Sequence, residues 1–212
     1  MIKSIVFDLG YVLLNWNPEV YLKQRNIVAD KIPEVYKEIF RSKEWDLLDR
    51  GLITEDEAKD IIINSSNNNG QLIRLAFENW YELFTPIEDT VDILKSVKNS
   101  GYKAYFLSVF HLLAFENVTK RYAFFKHFDG GVASYEAKMV KPEEGIYKRL
   151  IEKYSIIPEE SIFIDDSKAN IEAAKKLNFN AIFFDSSTPS KFLICYPSKA
   201  SASALFWYFF SW

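Results

Sequence analysis

Five polar residues, far apart in the chain, have the types and settings to do chemistry together. Asp8 arrives abruptly at the end of an apolar run, Ile5-Val6-Phe7, and Gly10 follows two positions later. Ser108 ends a second apolar run, in FLSVF, and Asp165-Asp166 ends a third, in FIDDSKAN. Lys141 lies between these two, in KMVKPEEGIY, just before a helical pattern that Pro142 helps to start. Singly, each has an ordinary role: an Asp after a strand forms turns, a Ser caps a helix, paired acids suit a helix N-terminus, and a lysine sits in water. Together, three carboxylates, a hydroxyl and an ammonium in one crevice make a divalent-cation site with an anion beside it. Oxygen-only ligands suit Mg²⁺, which takes one or two protein carboxylates plus waters and substrate phosphate. The cation offsets the repulsion among the acids and neutralises phosphate charge. A carboxylate can then attack phosphorus, forming an aspartyl-phosphate that water hydrolyses. Ser108 and Lys141 stabilise charge on the transferring group.

A parallel sheet would bring these residues together. Short apolar segments bounded by polar or turn residues read as strands over Ile2–Phe7, Lys103–Leu107, Ser161–Ile164 and Ala181–Phe184, with a weaker candidate at Gly131–Ser134. Helical patterns alternate with them: Asp89–Ser100 with Gly101 as its stop, Glu143–Tyr154, and Asn170–Leu177 with Asn178 at the left-handed C-cap position. The alternation predicts an α/β fold, a doubly wound, mainly parallel, Rossmann-like sheet. In such a sheet ligands bind outside the carboxyl ends of the strands, where Asp8, Ser108 and the Asp165-Asp166 pair all fall.

Residues from about 15 to 87 break that rhythm with helical signals only. Asn17-Pro18 is an N-cap and first-turn pair, and Thr54 with Glu57 has capping-box spacing ahead of Ala58, Ile61 and Ile62. Leu72–Phe84 reads as another apolar-faced helix, with Ser65–Gly70 as a polar loop before it. We therefore expect an α/β core from residues 1–14 and 88–197, with a helical cap, 15–87, inserted after the first strand. The tail, 198–212, is a small polar stretch, SKASAS, followed by an almost wholly apolar and aromatic one.

Composition narrows the function classes. The 212 residues are 49% hydrophobic and carry a formal net charge of −3, enough apolar material for a sizeable core and no basic cluster for nucleic acid. A single cysteine, Cys195, excludes an internal disulfide framework and fits a reducing compartment. Lys3 is the lone basic flank at the N-terminus, and Asp8 interrupts the apolar run too early for a secretory signal. No apolar segment approaches the roughly 20 residues of a membrane span. The expectation is a cytoplasmic protein acting on a small molecule, with room for an oligomer.

FDLGYVLLNW, FLSVF, KPEEGIY and FIDDSKANIEAAKKL, in that order, resemble the motifs of the haloacid dehalogenase-like (HAD) hydrolase superfamily, over about residues 1–14 and 88–186. The insertion falls where that superfamily often carries a cap. The resemblance implies Asp8 as nucleophile, Ser108 as the phosphate-binding hydroxyl and Lys141 as the lysine that orients nucleophile and phosphate. It implies Asp166 as a direct Mg²⁺ ligand beside Asp8 and the Gly10 carbonyl, with Asp165 and Asn170 supporting from behind. The backbone of Leu9, Gly10 and Val109 then lines the phosphate. The Asp-Leu-Gly form of the first motif resembles a phosphatase-like branch, with sugar phosphates as the expected substrates, and WDLLDRG resembles cap sequence of that branch, in which Trp45 reads as buried in the cap, with a substrate-facing position as the alternative.

Two positions depart from the common pattern. Gly10 stands where the usual family phosphatase has a second Asp, the general acid to the leaving group, and such catalysis is worth roughly 10²–10⁴ in rate. Val109 stands where many relatives carry Asn. Without a replacement donor, from the cap or from Tyr11, hydrolysis should favour good leaving groups. Two other readings stay open: a metal-independent dehalogenase using Asp8 on carbon, and a non-catalytic binding protein.

Overall fold

The computed structural model describes residues 1–185, so Cys195 and the aromatic tail lie outside the described residues. The chain opens with β1 (Ser4–Phe7) and then a two-residue strand, β2 (Leu14–Asn15). Five helices follow: α1 (Pro18–Gln24), α2 (Ile32–Phe40), α3 (Lys43–Asp49), α4 (Glu55–Ser65) and α5 (Gly70–Phe77). A second two-residue strand, β3 (Thr85–Pro86), pairs antiparallel with β2, Leu14 opposite Pro86 and Asn15 opposite Thr85. The chain therefore leaves and re-enters the sheet region through one narrow ribbon. Beyond it run α6 (Glu88–Asn99), β4 (Lys103–Ser108), α7 (Leu112–Arg121), β5 (Gly130–Ala133), α8 (Ser134–Ala137), α9 (Glu144–Tyr154), β6 (Ser161–Asp165), α10 (Lys168–Lys176) and β7 (Asn180–Phe183).

The five long strands form one parallel sheet in the order β5-β4-β1-β6-β7. β1 is central and buried along its whole length, as a parallel strand covered on both faces must be. Its alternate side chains separate the two faces: Ile5 and Phe7 join one apolar cluster and Val6 the other. The first cluster includes Val91, Leu94 and Val97 of α6 and continues into the inserted helices through Leu48, Ile62 and Trp80. The second holds Ile146, Tyr147 and Leu150 of α9 with Ile171 and Ala174 of α10. The sheet is thus doubly wound, with an α/β Rossmann-like topology. No described helix is long and apolar enough to cross a membrane.

Several local signals act as their chemistry requires. Asn17 accepts from the Val20 N–H at 3.1 Å with Pro18 in the first turn, and Thr54 and Glu57 close a full capping box. Asn178 sits in the left-handed region, φ 67°. Other boundaries differ from expectation. β1 starts at Ser4, and β4 and β6 each extend one residue further, so that Ser108 and Asp165 are ladder residues. The weak strand runs over Gly130–Ala133, and Ser134 opens α8. The single helix expected over Leu72–Phe84 is α5 followed by a 3₁₀ turn, Trp80–Leu83, with Asn79 between them at φ 52°. Asn tolerates that conformation, and the break turns Trp80 fully inward, where its Nε1–H donates to Glu55 Oε2 at 3.0 Å.

Candidate active site

Asp8 is the first residue past β1, where the ladder ends but burial does not. Its N–H still donates to the Ile164 carbonyl at 2.9 Å, which fixes the backbone just as the side chain emerges at the carboxyl edge. Ser108 closes the neighbouring β4 and Asp165 closes β6 on the other side, so the topology alone sets the three side chains abreast. Lys141 enters from the turn before α9, through a cis peptide to Pro142, and its side chain is 2% exposed beneath the acids.

The contacts divide the two oxygens of Asp8. Oδ1 accepts from the Leu9 N–H at 2.7 Å and the Ser108 hydroxyl at 2.7 Å, and pairs with Lys141 Nζ at 2.8 Å. Among the described residues Oδ2 has no partner, leaving its lone pairs for an incoming electrophile or cation. Asp165 is the opposite case. Its Oδ2 pairs with Lys141 at 2.6 Å, and its Oδ1 accepts from the Ser167 N–H at 2.8 Å and the Asn170 amide at 2.9 Å. With both oxygens engaged and no exposure, Asp165 is a support for Lys141 and for the loop that carries Asp166. Asn170 is held in turn by the Tyr147 hydroxyl, which donates to its carbonyl at 3.1 Å.

The charges do not balance within the protein. Among the described residues one ammonium serves two buried carboxylates, and Asp166 forms no ion pair. Burial pushes Asp8 up to about 6, with Asp165 adding to the rise and Lys141 and Ser108 opposing it. Burial and then the neighbouring Asp165 also raise Asp166. Burial alone would lower Lys141, but the two carboxylates outweigh it and hold the ammonium above its ordinary value. One oxygen each of Asp8, Asp165 and Asp166 lies within 4.8 Å of the others. An all-oxygen cluster with excess negative charge and free lone pairs on Asp8 and Asp166 fits a hard divalent cation, which would restore Asp8 to the ionised form a nucleophile needs.

Above this edge opens a cleft of about 200 Å³. Its floor is Gly10, Val109 and Phe110, close in the chain to Asp8 and Ser108, and its far wall comes from the inserted segment. That wall is aromatic: Trp16, Trp45, Trp80 and Phe84. Trp45 is buried, as the sequence implied, and also lines the cleft. Trp80 stacks on His111 with ring centroids 4.7 Å apart, and Trp45 meets the same imidazole edge-on at 5.7 Å. Two polar side chains face this apolar space, His111 and Asp49, and neither was singled out by the sequence. His111 is three positions beyond Ser108, a proximity that would have identified it. Asp49 is the second acid of WDLLDRG, and nothing local distinguishes it from Asp46, the first, one helical turn earlier.

All the expected site residues therefore converge at one sheet edge: Asp8, Leu9, Gly10, Ser108, Val109, Lys141, Asp165, Asp166 and Asn170. Comparison with known proteins bears on the family. The chain is 25% identical over 177 residues to a sesquiterpene phosphatase of Aspergillus oryzae, covering 82% of this chain and 85% of that one. It is 26% identical over 183 residues to a phosphorylated carbohydrates phosphatase of Thermotoga maritima, covering 85% and 84%. Among solved structures, a HAD family enzyme of Bacteroides thetaiotaomicron in complex with magnesium and inorganic phosphate aligns with a TM-score of 0.71 at 26% identity, over 97% of this chain and 100% of that one. The haloacid dehalogenase-like hydrolase profile matches residues 5–184, and the chain belongs to that family.

Proposed function

We propose that this protein is a Mg²⁺-dependent phosphatase that hydrolyses a small phosphorylated metabolite through an aspartyl-phosphate at Asp8. The observation that carries the reading is the divided carboxylate: three donors converge on Oδ1 of Asp8, while Oδ2 has no partner among the described residues. Asp8, Asp166 and the Gly10 carbonyl would hold the metal, with Asp165 and Asn170 supporting them. Bound Mg²⁺ neutralises phosphate charge and draws Asp8 to its ionised form. The protein does the rest. Oδ2 of Asp8 attacks phosphorus, Lys141 holds the nucleophile in line, and the Ser108 hydroxyl and the Val109 N–H bind phosphoryl oxygens.

The cleft bears on the leaving group. A sugar phosphate, the substrate class implied by the first motif, needs polar partners for each buried hydroxyl, and among the described side chains lining the cleft Asp49 and His111 are the ionisable ones. The tryptophan and phenylalanine wall favours a leaving group with an apolar body, and one phosphatase relative acts on sesquiterpene phosphates by its name. The test is phosphate release over a panel of sugar, alkyl, terpenyl and aryl phosphates, with Mg²⁺ and with chelator, beside Asp8→Asn. We expect Mg²⁺-dependent release that Asp8→Asn lowers by about 10⁴-fold or more. Turnover that survives this substitution sinks the nucleophile. Metal-independent halide release from 2-haloacids establishes the dehalogenase reading, and phosphate binding without any turnover the non-catalytic one.

A further inference from the structure

The phosphatase reading leaves the leaving-group proton without a source, because Gly10 carries no acid. An added Cβ at Gly10 would meet nothing within 4 Å, so the space an acid would occupy there is open to the cleft. Three residues can be weighed as the donor. Tyr11 is 42% exposed and is not part of the cleft wall. His111 is in the wall, but both its ring nitrogens are buried without a hydrogen-bond partner, and burial lowers it to about 3. A neutral imidazole can hydrogen-bond a substrate oxygen; it carries no spare proton to give. Asp49 remains.

Asp49 ends α3 and lines the same cleft as Gly10. Its carboxyl makes no hydrogen bond or ion pair with any described residue, although Arg50 next to it is paired with both Asp46 and Glu143. Its backbone is clamped. The Asp49 carbonyl accepts from the Ser134 hydroxyl at 2.5 Å, and the same oxygen of Ser134 accepts from the Phe110 N–H at 2.9 Å. Gly51 follows in a left-handed turn, φ 63°, pressed so closely on the Tyr135 carbonyl that a Cβ would come within 2.6 Å of it. Lys138 donates to the Gly51 carbonyl. The end of the helix is thus fastened to the sheet domain beside the loop that follows Ser108, and the acid, without a partner among the described residues, lines the cleft that Gly10 also lines. Burial, with Asp46 adding, raises this carboxyl to about 8, so it carries a proton at neutral pH.

We propose that Asp49, supplied by the inserted helices, is the general acid of the phosphatase reaction in place of the acid missing at Gly10. As Oδ2 of Asp8 bonds to phosphorus, the bond from phosphorus to the leaving oxygen breaks and its electron pair takes the proton of Asp49. In the second half, water attacks the phosphorus of the aspartyl-phosphate and gives its proton to the Asp49 carboxylate. The phosphorus–oxygen bond to Asp8 breaks with its electrons returning to Asp8, so both acids end as they began.

The inference rests on the phosphatase reading, and two probes separate their failures. Benzyl phosphate has a poor leaving group that needs the proton; p-nitrophenyl phosphate, of similar size, has a good one that does not. Asp49→Asn should lower kcat/KM for benzyl phosphate by about 10²–10⁴-fold, and for p-nitrophenyl phosphate by less than about tenfold. Adding Gly10→Asp to Asp49→Asn should recover the benzyl phosphate activity. Equal losses on both probes in a variant that melts like the parent, or unchanged benzyl phosphate turnover, overturn the assignment. If Asp49→Asn melts early, Asp49→Glu decides: benzyl phosphate activity above that of Asp49→Asn sustains the proposal, and activity equal to it overturns it. A parent enzyme inactive on both probes with Mg²⁺ overturns the phosphatase reading itself and the proton donor with it.

Discussion

The two walls of the cleft treat their polar side chains in opposite ways. On the sheet wall, Ser108, Lys141 and Asp165 are buried and each is committed to a neighbour, with Asp8 keeping a single free oxygen. On the wall formed with the inserted helices, Asp49 has no side-chain partner and His111 has none for either nitrogen, amid tryptophan and phenylalanine. A buried polar atom left unpaired costs about 1–3 kcal/mol, which is the position of both His111 nitrogens among the described residues, while the half-buried Asp49 keeps its carboxyl free where it lines the cleft. The sheet wall is organised before substrate arrives; the aromatic wall is completed by it. In the proposed reaction the same division would separate the groups that handle phosphorus from those that meet the leaving group.

The comparison can be broken most severely at Lys141. Lys141→Met leaves Asp8 and Asp165 buried without their shared cation, which should cost about 3–5 kcal/mol in urea unfolding and about 10²–10³ in kcat. A variant of parental stability would mean that the sheet wall is not held by this ammonium. Ser134 joins the two walls. Ser134→Ala strands the Phe110 N–H and the Asp49 carbonyl, so a loss of about 1–3 kcal/mol is expected from the unfolding midpoint. Benzyl phosphate turnover should fall further than p-nitrophenyl phosphate turnover, by about tenfold, as Asp49 loses its anchor. Equal effects on the two substrates would detach Asp49 from this anchor.

His111 gives the smallest effect and the opposite sign. His111→Phe replaces an unpaired imidazole with a ring that needs no partner, and should raise stability at pH 7 by about 1 kcal/mol. The change also removes a pH dependence. The folded imidazole stays neutral down to about 3, against an ordinary value of 6.5. Between those values the unfolded chain binds the extra proton, so acidification through that window destabilises the parent. Urea midpoints of His111→Phe should therefore fall less steeply than those of the parent as pH drops below about 6. Parallel pH profiles would mean that the imidazole finds a partner in solution.

Much of the sheet wall was legible because its signals are local. An acid or a hydroxyl directly after an apolar run is visible in a few residues, and strand–helix alternation predicts that such run ends share one edge. Caps at Asn17 and Thr54 were legible for the same reason. The break at Asn79 was not, because Leu72–Phe84 keeps a helical pattern across it and the interruption is stabilised by packing Trp80 inward. Asp49 was no more legible than Asp46. The difference between them is that one faces the cleft and the other pairs with Arg50 at 2.8 Å, a matter of helix rotation against a surface that the local sequence does not contain.

The α/β architecture, the order of the motif residues and the absence of an acid at position 10 follow from the amino-acid sequence, since each is written in adjacent residues. The three-dimensional fold adds which oxygen of Asp8 is left free, that one lysine serves two carboxylates, and that an acid from the inserted helices lines the same cleft as Gly10. Those facts depend on groups brought together from β1, β4, β6 and α3, dozens of residues apart. Burial then changes their chemistry, because a carboxyl that would be an ordinary surface anion in water keeps its proton when it is held without a partner against an aromatic wall.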